Sequence, residues 1–306
     1  MFPILFRIGK GCSIPGGSCF EITSFGLMMF LSFIVGAWLL GKQLQRYGVP
    51  KDFAWDMLAW IAIGGIVGAK VWYLGLNYQD LLANPLHELT SRGGLVWYGG
   101  LAGGVLAYWL QIRARQLPMA VMFDGTAPAL GAAYAVGRMG CFLVGDDYGR
   151  YTTSWLGIAF PEGSPPSTAG TLRELGSNVP ASIPDKAIVE VLPTQLFEVA
   201  LGLAIFAILW QVGKRRLRTG QLFALFLVLY GIERFFIEFI RAKGDRVIAG
   251  LSTSQIASIA LLALGTYLWV HRAKTGELCP TLEQPPALPP APAPKPKPKR
   301  KAAARR

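Results

Sequence analysis

The sequence predicts an all-α integral membrane protein with about seven transmembrane helices. Hydrophobic residues make up 52% of its 306 residues and charged residues only 16%, whereas a soluble domain carries roughly 25% charged residues. Its mean hydropathy is +0.39. Apolar runs of about twenty residues, the length needed to cross a bilayer, recur along the chain.

Seven spans are predicted, at 20–40, 54–75, 94–112, 119–144, 195–212, 221–240 and 251–271. The connections after the first, third and fifth spans, with the segment after the seventh, hold 18 of the 30 basic residues. Cytoplasmic segments are enriched in Lys and Arg, so the amino terminus is expected outside and the carboxyl terminus in the cytoplasm. The net charge of +12 therefore reflects topology, and no nucleic-acid partner is predicted.

Two regions flank or interrupt the predicted membrane domain, residues 1–272. The loop 145–193 carries six acidic and three basic residues and is expected to form a small cap on the outer side. Residues 273–306 are rich in Pro, Ala and Lys and are expected to form a disordered cytoplasmic tail, which either lies against anionic lipids or has no specific function.

The cysteines and histidines do not suggest a metal or cofactor. Four cysteines form no CxxC pair, and only two histidines accompany them. Cys12 and Cys19 flank a Pro-Gly-Gly turn and could form a disulfide if that segment lies outside, although free thiols are the other reading.

Ionisable residues of five spans are predicted at a similar depth in the outer half of the bilayer. They are Lys70, Tyr98, Arg138, Glu198 and the stripe formed by Tyr230, Arg234, Glu238 and Arg241. A charge at mid-depth costs about 3 kcal/mol or more, so these groups must pair or line a wet cavity. Ion pairs that only lock helices are one interpretation. We favour a shared cavity in which arginines outnumber carboxylates and bind a phosphate.

Six ordered motifs give the sequence a family resemblance. The stretch GRMGCFLVGDDYG (137–149) resembles the pattern G-R-x-G-N-F-x-N-x-E-x-x-G of prolipoprotein diacylglyceryl transferases. The other matching segments, in order, are PILFRIG (3–9), FGLM (25–28), GGLVWYGG (93–100), PTQLFE (193–198) and YGIERFFIEFIR (230–241). The resemblance covers about residues 1–272.

The resemblance implies an enzyme of the bacterial cytoplasmic (inner) membrane, with its active site facing the outer leaflet. Such an enzyme transfers diacylglyceryl from phosphatidylglycerol to the lipobox cysteine of a preprolipoprotein signal peptide. A thioether forms and glycerol phosphate leaves; membrane lipids are partners and no cofactor is needed. The alternative is a divergent paralogue that binds or transfers lipid to another acceptor, or a module without catalysis.

Matched positions imply roles for individual residues. Arg138 is expected to bind the phosphate, Arg234 to stabilise the departing glycerol phosphate, and Glu238 to orient Arg234. Asp146, where the family has Glu, is expected to position either Arg138 or the headgroup glycerol. The remaining residues expected to line the substrate site are Phe25, Lys70, Cys141, Gly149, Gln195, Glu198, Tyr230 and Arg241.

Three positions depart from the family. Tyr98 stands where many members have a His proposed as base, and a tyrosine with a pKa near 10 is a poor base unless nearby arginines lower that pKa. Phe25 replaces a functional tyrosine and lacks its hydroxyl. Cys141 replaces an Asn; it is read either as a small packing residue or as a reactive thiol.

Overall fold

The protein is a helical bundle with a small folded cap. The computed structural model describes residues 4–8, 20–91, 94–244, 246–248 and 250–279. The helices are α1 (Ser24–Arg46), α2 (Asp52–Leu76), α3 (Tyr78–Ala83), α4 (Pro85–Thr90), α5 (Trp97–Ala114), α6 (Met119–Val144), α7 (Ala169–Glu174), α8 (Thr194–Val212), α9 (Gln221–Ile237) and α10 (Thr253–Thr275). The predicted Cys12–Cys19 pair lies outside the described residues.

Strands occur only as three short antiparallel pairs within the described residues. They are β1 (Ile4–Ile8) with β2 (Phe20–Thr23), β3 (Ile158–Ala159) with β4 (Glu190–Val191), and β5 (Arg246–Ile248) with β6 (Leu251–Ser252). The first predicted span therefore begins four residues later than expected. Its helix starts at Ser24, where the hydroxyl of Thr23 accepts the N–H of Gly26 at 3.0 Å as an N-cap.

Five helices, α1, α2, α6, α8 and α10, are long and apolar enough to cross a membrane. Their outward faces are apolar and exposed: Phe30 is 61% and Ile66 64% exposed, as expected of lipid-facing side chains. The protein is thus a multi-pass membrane protein. The third and sixth predicted spans are also helices, α5 and α9, but α9 has only 17 residues. The count of seven spans and their orientation remain predictions.

Helix α6 has a central place in the bundle, since it contacts α1, α8 and α9. The carboxylate of Asp124, in the second turn of α6, accepts the N–H groups of Gly220 at 2.6 Å and Phe223 at 2.9 Å. Asp124 thereby satisfies free donors at the start of α9. These two bonds fix the positions of α6 and α9 relative to each other along the bundle axis. Arg138 and Arg234 of the predicted site lie on these two helices.

Helices α2 and α5 form a separate close pair. Gly64 and Gly68 on α2 face Gly99 and Gly103 on α5, and a Cβ added to Gly103 would lie 2.1 Å from the carbonyl oxygen of Gly64. Side chains at these positions would force the helices apart, so the glycines allow direct backbone contact. The principal packing partner of α5 is thus α2, and its contact with α6 is slight.

The loop 145–193 folds as a cap with its own core. Tyr148, Phe160, Leu172 and Val191 are almost fully buried there, and the rings of Tyr148 and Phe160 stack with centroids 5.6 Å apart. Such a core gives the cap a fixed position at the ends of α6, α8 and α9.

At the opposite end of the bundle, the chain after α10 turns back onto the α8–α9 connection. The N–H of Thr219 donates to the carbonyl of Glu277 at 2.8 Å, and the N–H of Cys279 donates to that of Leu217 at 2.9 Å. Order thus extends at least to Cys279, beyond the boundary predicted at residue 272.

Candidate active site

Six charged side chains form a closed ring at the end of the bundle beneath the cap. Going around the ring, positive and negative groups alternate: Arg138, Glu198, Arg234, Glu238, Arg241 and Asp147, which returns to Arg138. We call these six residues the arginine–carboxylate ring. They come from α6, α8 and α9 and from the residues that follow α6 and α9.

Glu198, in the second turn of α8, joins the two arginines predicted to bind phosphate. Its Oε1 accepts from Nη1 of Arg234 at 2.6 Å, forms an ion pair with Nη2 of Arg138 at 3.2 Å and lies 3.2 Å from the hydroxyl of Tyr134. The Glu198 side chain is fully buried. A buried carboxylate is costly unless it is paired, so the three donors explain how a charged group can sit here.

The far side of the ring follows the helical stripe predicted from the sequence. Nη2 of Arg234 lies 3.4 Å from Oε2 of Glu238, and the same oxygen lies 3.6 Å from Nη1 of Arg241. Spacings of four and three residues bring these side chains together on one face. Glu238 follows the last residue of α9, Ile237, so the stripe continues into the turn that ends the helix.

Asp147 closes the ring by pairing with Arg138 and Arg241. The matched position that was expected to contact Arg138 or the headgroup glycerol is the preceding residue, Asp146. Oδ2 of Asp147 lies 2.9 Å from Nη1 of Arg138, and its Oδ1 pairs with Arg241. Burial opposes ionisation of Asp147, but the guanidinium groups of Arg241 and Arg138 outweigh it and lower the pKa of this carboxyl. Among the described residues, the ion-pair partner of Arg138 in this loop is therefore Asp147, and a role of Asp146 toward the headgroup glycerol stays a prediction. Asp147 has a left-handed backbone (φ 55°), which turns its side chain inward.

Asp146 instead takes part in the connection between the cap and α8. Its carbonyl accepts from Nε2 of Gln195 at 2.5 Å, and the carbonyl of Asp147 accepts from the hydroxyl of Thr194 at 2.9 Å. Burial raises the pKa of the Asp146 carboxyl, although a hydrogen bond with Cys141 opposes this. Gln195 is fully buried, and among the described residues its side-chain amide donates to this loop carbonyl.

The predicted surplus of arginines is not found among the described residues. Three guanidinium groups face three carboxylates in the ring, and a fourth carboxylate, Glu233, is linked to Glu198 through the hydroxyl of Tyr134. Asp147 and Glu233 lie within the matched motifs, but neither they nor Tyr134 entered the predicted site. An anion that enters this site must therefore displace a carboxylate.

Gly149 lies where three backbone segments meet. Its N–H donates to the carbonyl of Leu192 at 2.8 Å, and the N–H of Arg150 donates to that of Ile240 at 2.9 Å. A Cβ on Gly149 would lie 2.8 Å from the carbonyl oxygens of Ile240 and Leu192. Only glycine fits, and this contact fixes Asp147 and Arg241 on adjacent segments.

Three other predicted residues lie next to the ring or its helices. The ring of Tyr230 packs edge-on against that of Tyr134 at 5.4 Å. Cys141 is buried, with Sγ 3.6 Å from Nη1 of Arg138. Phe25 packs against Gly140, one residue before Cys141. A cysteine that contacts a ring arginine is thus a neighbour of the site as well as a packing residue.

Lys70 and Tyr98 are not brought to the ring. Nζ of Lys70 donates to the carbonyl and hydroxyl of Ser91 at 3.0 and 2.9 Å. Tyr98 is 62% exposed and its ring packs on that of Trp97 at 5.3 Å. Both residues belong to the α2–α5 pair and its connection, so similar depth did not imply contact.

A metal is a weak candidate at this site. Ligand atoms of Cys141, Asp146 and Asp147 lie within 4.8 Å of one another. Asp147 already binds two guanidinium groups, so a cation here would have to compete with both arginines.

Comparisons with known proteins agree with the motifs. The family model described as prolipoprotein diacylglyceryl transferase matches residues 14–271. A protein of Xanthomonas euvesicatoria pv. vesicatoria named phosphatidylglycerol–prolipoprotein diacylglyceryl transferase is 30% identical, with 92% of this chain and 95% of that protein covered. Proteins of the same name from Clostridium tetani (27% identity, 88% and 97% covered) and Nitratidesulfovibrio vulgaris (30%, 81% and 88%) also match.

Proposed function

The chain belongs to the prolipoprotein diacylglyceryl transferase family, and we propose that it moves a diacylglyceryl group from phosphatidylglycerol to a cysteine thiol of a prolipoprotein. A thioether forms and glycerol phosphate leaves. The observation that carries this proposal is the position of Arg138 and Arg234. Glu198 holds these guanidinium groups from two helices together, and Arg138 also pairs with the more exposed Asp147, whose place a phosphate can take.

Phosphate enters the ring by replacing Asp147. This carboxylate is the most exposed member of the ring, with 44% of its side chain accessible against 14% or less for the other five. Its departure frees Nη1 of Arg138 and a donor of Arg241 for the phosphate oxygens. Glu198 stays in place and keeps Arg138 and Arg234 together, because removal of this fully buried partner would take a counter-charge from both arginines at once.

The arginines also serve the chemical step. Sulfur attacks the glyceryl carbon that is bonded to the phosphate oxygen, the carbon–oxygen bond breaks, and its electron pair stays on the leaving phosphate. Negative charge therefore grows on glycerol phosphate. Arg138 and Arg234, fixed before the reaction by Glu198, stabilise that charge without rearranging, which is the most effective form of electrostatic catalysis.

The acceptor is expected to be the lipobox cysteine of a preprolipoprotein signal peptide, delivered at the outer leaflet of the bacterial inner membrane. The charge distribution supports this side, since 18 of the 30 basic residues are predicted at the opposite end of the helices from the ring. The cap formed by residues 145–193 is then outside and borders the route of the peptide.

The decisive experiment uses purified protein in detergent with phosphatidylglycerol and a lipobox peptide. The cysteine peptide should gain the diacylglyceryl mass and a peptide with serine in its place should not. Arg138→Ala and Arg234→Ala should abolish transfer, whereas Arg215→Ala, in the α8–α9 connection, should not. Phosphatidylglycerol binding without any transfer would favour a non-catalytic lipid-binding protein and contradict the proposal.

A further inference from the structure

The proposed reaction needs an acceptor for the thiol proton. A thiolate is the useful nucleophile, and a free cysteine with a pKa of about 8.5 is mostly protonated at neutral pH. The residue expected to act as base from family position, Tyr98, lies on α5 with its side chain largely exposed. A carboxylate close to the ring is therefore better placed than Tyr98 to take the proton.

Glu233 is a carboxylate beside the ring that is not part of it. It lies on α9 and is only 5% exposed. Among the ion pairs of the described residues, none joins Glu233 to a guanidinium. Glu198, Glu238 and Asp147 each hold two arginines, so protonation of any of them would break ion pairs. Glu233 can take a proton without that loss.

The hydroxyl of Tyr134 contacts only one of the two carboxylate oxygens of Glu233. It lies 3.1 Å from Oε1 of Glu233 and 3.2 Å from Oε1 of Glu198, yet it has a single proton to donate. Oε1 of Glu198 is already paired with two guanidinium groups, so the tyrosine proton serves Glu233. Oε2 of Glu233 is buried and has no hydrogen-bond partner in the part of the chain that the structure describes.

The depth of Glu233 suits an in-line displacement. Tyr134 lies one turn before Arg138 on α6, and Glu233 directly precedes Arg234 on α9, so both are nearer the middle of the bundle than the guanidinium groups. With the phosphate at the ring, the glyceryl carbon lies on its acyl-chain side, toward the bilayer centre. The attacking sulfur stands opposite the leaving oxygen and is deeper still. Asp146 follows the end of α6 and lies on the side of the ring away from the bilayer centre, opposite the expected position of the sulfur.

We propose that Glu233, held by Tyr134, is the general base that receives the thiol proton; this inference rests on the proposed function. The S–H bond breaks and the proton moves to Oε2 of Glu233 as the sulfur forms its bond to the glyceryl carbon. The carbon–oxygen bond breaks with its electron pair on the phosphate. Glu233 then returns the proton to glycerol phosphate as that product leaves, which restores the carboxylate.

Glu233→Gln tests the assignment, because the amide keeps the size and the acceptor for Tyr134 but cannot take a proton. Transfer at pH 7 should fall by ~10²-fold or more. The affinity of the variant for phosphatidylglycerol in vesicles, measured separately, should stay within twofold of that of the unaltered chain. The deficit should shrink as pH rises toward the thiol pKa of about 8.5, since hydroxide then supplies the thiolate. A purely structural role predicts a deficit that does not change with pH.

Several outcomes would overturn the assignment. One is Glu233→Gln with the rate and pH profile of the unaltered chain; another is a pH-rescued loss in Asp146→Asn or Tyr98→Phe instead. If Glu233→Gln no longer binds lipid, Glu233→Asp gives the answer: a displaced pH midpoint supports the base, and an unchanged one refutes it. Should the unaltered chain form no thioether, the proposed function itself fails, which is a distinguishable result.

Discussion

Arg138 and Arg234, on two different helices, form ion pairs with the same oxygen atom, Oε1 of Glu198. Two like charges are thus held close together by one fully buried carboxylate. This arrangement keeps both guanidinium groups pointing toward a common point before any substrate arrives. Replacement of one charged side chain should therefore change both the activity and the stability of the site.

Arg138→Lys should reduce transfer by ~10²-fold or more. Arg138 uses Nη2 for Glu198 and Nη1 for Asp147, and the single ammonium of lysine cannot span both positions. The rate of thioether formation measures the effect. The matched control is Arg115→Lys, whose exposed pair with Asp56 contributes little; equal losses in both variants would contradict the role of the fork.

Glu198→Gln should destabilise the protein strongly, by about 3–5 kcal/mol, because it leaves two buried guanidinium groups without their shared counter-charge. The apparent melting temperature in detergent measures this effect. Glu162→Gln removes an exposed carboxylate of the cap and serves as the control. A melting temperature for Glu198→Gln that matches this control would show that the shared carboxylate is dispensable.

Asp147→Asn should bind glycerol phosphate about tenfold more tightly than the unaltered chain does. This corresponds to a change of about 1.4 kcal/mol in the free energy of binding. The neutral amide leaves the ring with one net positive charge and competes less with phosphate for Arg138 and Arg241. Equilibrium binding in detergent gives the affinities. Weaker binding by the variant would mean that phosphate does not enter at the position of Asp147.

The contribution of Asp147 to stability should depend on pH. Its pKa is lowered in the folded protein, so its stabilising effect is complete above the unfolded value of about 3.9 and is lost as pH falls through the lower folded value. The difference in melting temperature between the unaltered chain and Asp147→Asn should thus be constant from pH 7 to about pH 5 and shrink below about pH 4. A difference that grows on acidification would reverse the sign and refute the pairing.

Gly149→Ala should loosen the cap and lower transfer, since the new methyl group would lie 2.8 Å from two carbonyl oxygens. Overpacking of this kind costs about 1–3 kcal/mol. Faster proteolysis of the 145–193 segment would report the loosening. Gly75→Ala, on α2, places its methyl group in open space and should leave proteolysis unchanged. Protection of the cap in Gly149→Ala equal to that in Gly75→Ala would contradict the prediction.

The sequence predicted the apolar helices well because hydrophobic length alone determines them. It also predicted the stripe of Arg234, Glu238 and Arg241, since spacings of three and four residues define one helical face. The short helices α3 and α4 were missed because each has only six residues and no long apolar run.

The predicted site differs from the arginine–carboxylate ring where depth was used without knowledge of neighbouring helices. Lys70 and Tyr98 lie on helices that pair with each other, and the glycines that make this pair so close were not considered. Arg138 pairs with Asp147 and not with the matched Asp146 for a local reason. A left-handed residue in a loop reverses the direction of a side chain, and family position does not reveal this.

The closed ring has a consequence for how the protein selects its lipid. Because its three positive and three negative charges cancel, it exerts almost no long-range field on headgroups that diffuse past. The ring itself therefore does not concentrate anionic lipids at the entrance by attraction at a distance. Discrimination begins only at contact, when a phosphodiester can exchange places with a carboxylate at the same guanidinium groups, so selectivity depends on geometry rather than on net charge.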